Sequence, residues 1–157
     1  MPERCFQDRW RYRVSRGATG RLGGAPLILL DTHVLQWLVA DSSRLSRAAA
    51  SAIRRARASD GIAIASITLW EVAFLMSQGR FQTYASIEDS LQLLVRSSGV
   101  IVKPITPAIA ALATQFPLDY PRDPADRLIG ATARAEGLSL VTRDEGIRSS
   151  PLLKTIW

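Results

Sequence analysis

Short apolar runs alternate with longer amphipathic stretches along the chain from residue 27 onward. The apolar runs predict strands at 27–31, 62–65, 100–103 and 138–142. Between them, apolar residues recur at helical spacing and predict helices at 32–39, 46–58, 67–77, 86–97, 106–115 and 123–136. The last residues, 152–157, are a candidate fifth strand. The alternation predicts an α/β protein of three α/β/α layers with a central parallel sheet of four to five strands.

Four acidic residues lie where predicted strands pass into helices. Asp31 and Asp144 follow strands, and Glu71 and Asp126 lie near helix starts. Because the carboxyl ends of parallel strands share one edge of a sheet, we expect these side chains to meet. Two carboxylates ~5 Å apart repel by about 3 kcal/mol at an effective dielectric constant of ~20. Such a cluster indicates a site for a hard divalent cation, which prefers oxygen ligands.

Each acid also has a purely structural explanation. Residues 68–71 fit a capping box, in which Glu71 would bond the helix start. Asp123 fits a helix cap with Asp126 in the first turn, and Asp144 fits a turn. Asp31 is the hardest to explain in this way, because it follows four large apolar residues on the expected central strand. The joint placement of the four acids therefore favours the metal site.

Composition limits the class of protein. The length of 157 residues suits a single domain, and no apolar run approaches the ~20 residues of a membrane span. One cysteine, Cys5, cannot form an internal disulfide and fits a reducing compartment, so we expect a cytoplasmic protein that does not associate with membranes. Residues 1–26 carry six arginines against two acids, which is +4 of the total net charge of +6.

This arginine- and glycine-rich extension, residues 1–26, lacks periodic apolar positions and is expected to be separate from a domain at 27–157. Three interpretations are open. The extension could be a disordered arm that contacts nucleic acid, or it could order against a partner. It could also result from a misassigned start, with the functional chain beginning near Pro26.

Four segments in register resemble the motifs of PIN-domain ribonucleases, in particular the VapC-type toxins of type II toxin–antitoxin systems. The first is 29–38 (LLDTHVLQWL) and the second is 65–73 (ASITLWEVA). The third is 122–131 (RDPADRLIGA) and the fourth is 140–144 (LVTRD). The resemblance covers about residues 27–157 in the order and spacing of that family.

The resemblance implies an endoribonuclease that depends on Mg²⁺ or Mn²⁺ and hydrolyses RNA phosphodiester bonds with a metal-activated water. It also implies a homodimer and a cognate antitoxin, with which the chain could form a hetero-oligomer. The catalytic and metal-binding residues that it implies are Asp31, Glu71, Asp126 and Asp144. Asp123 is a secondary candidate ligand, which the sequence does not separate from a helix cap.

Several neighbouring residues are candidates for substrate binding. The hydroxyls of Thr32 and Thr142 could hold a water or a phosphate. Arg127 and Arg143 could contact the scissile phosphate, or they could form salt bridges that order the carboxylates. His33 could act as a general base, although the family pattern does not require one.

Two tryptophans at helical positions, Trp37 and Trp70, could stack on RNA bases, but packing in the core or at a dimer interface is the favoured interpretation. A non-catalytic RNA- or antitoxin-binding protein of the same fold is the main alternative function. A phosphotransfer module is disfavoured, because the only lysines, Lys103 and Lys154, do not follow the pattern of such modules.

Overall fold

A computed structural model describes residues 26–157 of the chain. The expectations for Cys5 and for nearly all of the arginine-rich extension lie outside the described residues. The boundary that we place between residues 26 and 27 therefore stays a prediction.

Five parallel strands form one sheet, in the order β3-β2-β1-β4-β5. Their bounds are β1 Ile28–Leu30, β2 Ile62–Ala65, β3 Val100–Lys103, β4 Ser139–Val141 and β5 Thr155–Ile156. The strand β1 is central, with Leu30 in register with Ile64 on one side and Val141 on the other. The predicted parallel sheet, its central strand and the candidate fifth strand are confirmed.

Seven α-helices connect or follow these strands within the described residues. Their bounds are α1 Thr32–Ala40, α2 Arg47–Arg57, α3 Ser66–Ser77, α4 Ile87–Ser98, α5 Pro107–Thr114, α6 Pro124–Glu136 and α7 Glu145–Arg148. A 3₁₀ turn at Ser42–Arg44 precedes α2. The sequence predicted α1 to α6 to within two residues at each end, but it did not predict the short α7 or the 3₁₀ turn.

Two apolar layers cover the two faces of the sheet. In β1, Ile28 and Leu30 point into one layer and Leu29 points into the other, as expected for alternating side chains of a strand. The first layer packs against α1 to α4, and the second packs against α5, α6 and α7. The predicted three-layer α/β/α architecture is confirmed.

The start of α3 differs from the sequence prediction. The helix begins at Ser66, directly after β2, and its N-cap Ala65 makes no side-chain capping bond. Thr68 is fully buried inside the helix, and Glu71 lies in the middle of it. The capping-box explanation of Glu71 is therefore wrong, because the N-cap is Ala65 and not Thr68, and Glu71 is the sixth residue of the helix instead of the third.

In residues 26–157, none of the helices has the length and apolarity needed to cross a membrane.

Candidate active site

The four predicted acids come from four elements around the carboxyl end of the central strands. Asp31 follows β1 and caps α1, and Asp144 lies three residues beyond the end of β4 and caps α7. Glu71 extends from α3, and Asp126 lies in the first turn of α6. The short β1 and β4, paired side by side, place Asp31 and Thr142 within hydrogen-bonding reach although they are 111 positions apart.

Asp31 is the buried centre of the site, with 3% of its surface exposed. Its Oδ1 accepts a hydrogen bond of 2.7 Å from the N–H of Thr32. Its Oδ2 accepts one of 2.5 Å from the hydroxyl of Thr142 and lies 3.3 Å from Nδ1 of His33. Two donors and an imidazole thus fix the orientation of a carboxylate that solvent barely reaches.

Thr142 ties Asp31 to the turn after β4. Its hydroxyl donates to Asp31 and accepts a 3.0 Å hydrogen bond from the N–H of Asp144. The side chain is fully buried, so its oxygen is not open to bulk solvent. We expected Thr142 to hold a water or a phosphate. In the structure its hydroxyl instead positions an acid, and its predicted role toward substrate remains untested.

Glu71 receives its own hydroxyl donor. The hydroxyl of Thr32 donates to Oε2 of Glu71 at 2.5 Å and lies 3.1 Å from the hydroxyl of Thr68. Because one proton serves one acceptor, Thr68 must supply the proton of the second contact. Burial raises the pKa of Glu71, while the Thr32 hydrogen bond opposes the increase, and the charges of Asp31 and Asp123 add to it.

Asp126 shows most clearly that the acids share one electrostatic site. Burial and the charges of four neighbouring carboxylates together raise the pKa of Asp126 to about 7. Burial is the largest cause, and the four carboxylates are those of Asp31, Asp123, Asp144 and Glu71. No arginine or lysine among residues 26–157 forms a salt bridge with any of these five acids. Their negative charge is therefore not balanced by a cationic side chain of the described chain.

Asp123 and Asp144 both cap helices. Oδ1 of Asp123 accepts from the N–H groups of Ala125 at 2.8 Å and of Asp126 at 3.3 Å. Oδ1 of Asp144 accepts from the N–H of Ile147 at 2.8 Å. Each cap occupies one carboxylate oxygen and leaves the other free, so capping and metal binding are compatible in both residues.

The set of donors suits a hard divalent cation in its chemistry. The five side chains offer only carboxylate oxygens, which Mg²⁺ and Mn²⁺ prefer, and their mutual repulsion favours a bound cation. As they stand, however, no three acidic, histidine or cysteine side chains among residues 26–157 are arranged to hold one metal ion. Because Mg²⁺ keeps several of its waters and needs only one or two carboxylate ligands from the protein, the donor set still fits this ion.

Arg127 differs from the salt-bridge expectation. Its guanidinium donates to the backbone carbonyls of Phe116 at 3.0 Å, Pro117 at 3.2 Å and Tyr120 at 3.5 Å. It therefore fastens the preceding loop to α6 and neutralises none of the acids. The predicted salt bridge is wrong for Arg127, because backbone carbonyls occupy its donors, and its predicted contact with a phosphate is not tested.

Arg143 is exposed and lies outside any salt bridge with the described residues. The backbone N–H of Arg143 donates to Nε2 of His33 at 3.1 Å. Since Nε2 accepts this bond, the proton of neutral His33 is on Nδ1 and faces Asp31. Both ring nitrogens are engaged, so His33 orients Asp31 and is poorly placed to accept a proton from a water.

The two tryptophans do not belong to the apolar cores. Trp70 is 61% exposed and stacks on Phe74, one turn further along α3. Trp37 is half-buried, but it lies in neither core layer. Of the favoured interpretation, packing in the core is wrong for both, because their apolar neighbours in sequence turn inward while the indoles point away. Packing at a dimer interface stays a prediction.

Tyr120 supports the site but was missed in the sequence. Its buried hydroxyl donates to the carbonyl of Asp126 at 3.2 Å, and burial with the charge of Asp126 raises its pKa. A Cβ at Gly130 would lie 2.2 Å from the tyrosine oxygen, so glycine at this position makes the contact possible. An aromatic residue shortly before an acidic helix start was the only sequence signal.

Comparison with known proteins gives a consistent result. Residues 28–150 match the PIN domain family. The chain is 44% identical over 135 residues to the protein named Ribonuclease VapC22 from Mycobacterium tuberculosis, and the alignment covers 83% of this chain and 98% of that protein.

Solved structures share the fold at low sequence identity. VapBC2 from Rickettsia felis, bound to a promoter DNA fragment, superposes with a TM-score of 0.63 at 17% identity, covering 83% of this chain and 97% of the other. DNA-bound VapBC from Salmonella typhimurium gives a TM-score of 0.56 at 18% identity, covering 82% and 95%.

Proposed function

Since the chain belongs to the PIN-domain family and to its VapC group, we propose that it is the toxin of a type II toxin–antitoxin pair and acts as a metal-dependent endoribonuclease. A relative from Mycobacterium tuberculosis that is 44% identical to the chain is named as a ribonuclease. The proposed substrate is RNA, cleaved by hydrolysis of phosphodiester bonds.

One observation carries this proposal. The charges of four carboxylates act on Asp126, whose pKa is raised to about 7, and no arginine or lysine among residues 26–157 forms a salt bridge with these five acids. A protein that served only as a scaffold would gain stability from replacing some of these acids. Uncompensated negative charge at the end of the central strands supports the binding of a cation and, through it, of a phosphate.

The residues proposed to hold Mg²⁺ or Mn²⁺ are Asp31, Glu71, Asp126 and Asp144, with Asp123 as a secondary ligand. When bound, the cation supplies Lewis-acid polarisation of the phosphodiester and neutralises its charge. The protein contributes orientation. Thr142 and His33 fix the Oδ2 side of Asp31, and the Thr32 hydroxyl orients Glu71.

The proposed contacts with substrate lie around the acids. The guanidinium of Arg143 is exposed and is the better placed of the two arginines to contact a phosphate. Arg127 would reach one only by giving up bonds to carbonyls. Thr32 and Thr142 serve the reaction by holding Glu71 and Asp31.

We also propose a cognate antitoxin as partner, a homodimer as the assembly and the cytoplasm as the place of action. The structural relatives from Rickettsia felis and Salmonella typhimurium are VapBC complexes, which supports a protein partner. The exposed Trp70 and Phe74, stacked on α3 with ring centroids 5.7 Å apart, suit a protein interface. Light scattering of the purified chain, alone and with the product of the adjacent upstream reading frame, tests both assemblies.

A second candidate function has one observation in its favour. Because no three potential ligands among the described residues are arranged around a common point, the chain could bind RNA or antitoxin without catalysis. Both candidate functions predict binding of RNA and antitoxin, so only an assay of RNA cleavage distinguishes them.

The experiment is cleavage of single-stranded RNA by the purified parent chain, Asp31→Asn and the control Glu136→Gln. Glu136 forms a surface salt bridge of 3.0 Å with Lys103, away from the five acids. The nuclease proposal predicts cleavage by the parent and the control and none by folded Asp31→Asn. If all three chains cleave equally, the cleavage does not depend on Asp31, and the binding protein is favoured. The binding protein is also favoured if none of the three cleaves in the presence of Mn²⁺.

A further inference from the structure

Polar and aromatic groups surround Trp37, the half-buried indole outside both core layers. Its ring centroid is 4.8 Å from that of His33 and 5.6 Å from that of Trp157. The guanidinium carbon of Arg44 lies 4.7 Å from the ring centroid, and that of Arg143 lies 6.0 Å away. An indole whose role is core packing would be surrounded by aliphatic side chains, whereas this one has two cations within about 6 Å of its ring centroid.

An open cavity of about 370 Å³ adjoins this ring and reaches the acidic site. Its lining residues are His33, Trp37, Arg143, Asp144 and Glu145. One wall, Asp144, belongs to the proposed metal-binding acids, and another, His33, lies 3.3 Å from Asp31. A group that occupied the cavity would therefore be next to a phosphate held at the acids.

The chemistry of this cavity suits a nucleobase better than a phosphate. Indole rings and guanidinium planes both stack on unpaired bases, and such stacking is largely independent of base identity. Two carboxylates in the walls repel a phosphate but accept hydrogen bonds from the N–H groups of a base edge. The exposed Arg44 and Arg143 are at the same time available to the flanking backbone phosphates.

We propose that Trp37, with Arg44 and Arg143, forms a stacking subsite for one unpaired base next to the scissile bond of single-stranded RNA. The inference rests on the proposed function for the identity of the substrate. It adds the residues that hold the RNA beside the acids. It also explains why a tryptophan lies beside two arginines at the edge of the site instead of inside the protein.

The test is a binding experiment with the full chain carrying Asp126→Asn, so that the RNA stays intact. Short fluorescent single-stranded RNAs, each with one abasic nucleotide at a different position, are titrated and followed by anisotropy. The chain is compared with versions that also carry Trp37→Leu, Arg44→Gln or the control Arg54→Gln. Arg54 is exposed on α2 and is not one of the two arginines near the ring of Trp37, so its variant removes the same charge elsewhere.

The subsite predicts one sensitive position in the RNA. An abasic nucleotide there should weaken binding by roughly tenfold, as should Trp37→Leu with intact RNA. With the abasic RNA and the Trp37→Leu chain together, binding should be almost no weaker than with either change alone. A purely structural role of Trp37 would not produce this result. The abasic effect is the loss of affinity that the abasic nucleotide causes at the sensitive position. Arg44→Gln, at an exposed residue, should reduce this effect, whereas Arg54→Gln should leave it unchanged.

The inference is overturned if folded Trp37→Leu and Arg44→Gln retain the full abasic effect, or if no position is sensitive. Cleavage by the chain without Asp126→Asn is measured separately. Cleavage by the parent together with an unaltered abasic effect in the variants would reject the subsite and keep the nuclease. Binding that depends on Trp37 without any cleavage would keep the subsite and reject the nuclease.

Discussion

Replacing Thr142 with valine should destabilise the protein more than its small change in shape suggests. The two side chains have nearly the same volume, so the substitution opens no cavity. It removes the hydroxyl that donates to Oδ2 of Asp31 at 2.5 Å and accepts from the N–H of Asp144 at 3.0 Å. Asp31 is 3% exposed, so water replaces the lost donor poorly.

The expected cost follows from these two contacts. Leaving one buried group without its partner costs about 1–3 kcal/mol, and more where the group is charged. His33 still approaches Oδ2 of Asp31, and Asp144 is only half-buried, so both losses are partly compensated. We expect Thr142→Val to lower the free energy of unfolding by about 2–3 kcal/mol in urea denaturation.

Thr132→Val is the matched control. Thr132 is also fully buried, but its hydroxyl donates to the carbonyl of Leu128 in the same helix at 2.7 Å. That carbonyl already accepts a helical hydrogen bond, so the loss should be below about 1 kcal/mol. Equal destabilisation by the two substitutions, or a loss below about 0.5 kcal/mol for Thr142→Val, would refute the role given to Thr142.

Three further predictions follow from the same site. Between the ordinary pKa of 3.8 and about 7, folded Asp126 holds a proton that the unfolded chain releases, so stability in metal-free buffer should fall as pH rises through this window. After allowance for the partial exposure of Asp126, the free energy of unfolding should fall by about 1–2 kcal/mol across this window. Urea denaturation of Asp126→Asn should show a smaller fall over the same pH range. Gly130→Ala should cost roughly 1–3 kcal/mol in the same assay because its Cβ would overlap Tyr120. A chain that begins at Pro26 should keep its circular dichroism spectrum and RNA cleavage, and loss of cleavage in a folded truncation would place the extension in the active site.

The sequence was sufficient for the fold because local pattern and tertiary structure agree. Four short apolar runs separated by helical stretches predict a parallel sheet covered on both faces. The strand β1, whose run 27–30 is wholly apolar, lies at the centre of that sheet. The 3₁₀ turn and α7 are three and four residues long, too short to show periodicity. Glu71 was placed too near a helix start because the capping pattern at 68–71 arises by chance inside α3.

The roles of individual side chains were less predictable than their positions. The convergence of the acids follows from topology, but hydrogen-bond partners depend on distances that no pattern encodes. The hydrogen bond from Thr142 to Asp31 was not predicted, and Arg127 binds carbonyls of a loop that the sequence leaves unspecified. The surroundings of Trp37 involve Arg143 and Trp157, more than a hundred positions away, so only the fold could bring them together.

The central claim is that carboxylates around Asp31 and Asp126 hold a divalent cation that is required for RNA cleavage. The most direct test adds Mn²⁺ to the metal-free chain and measures the rate of cleavage of one single-stranded RNA, with Asp126→Asn beside the parent. We predict no cleavage without metal, saturable activation of the parent and no activation of folded Asp126→Asn. Undiminished cleavage by a verified metal-free parent, or equal activation of both chains, would contradict the account.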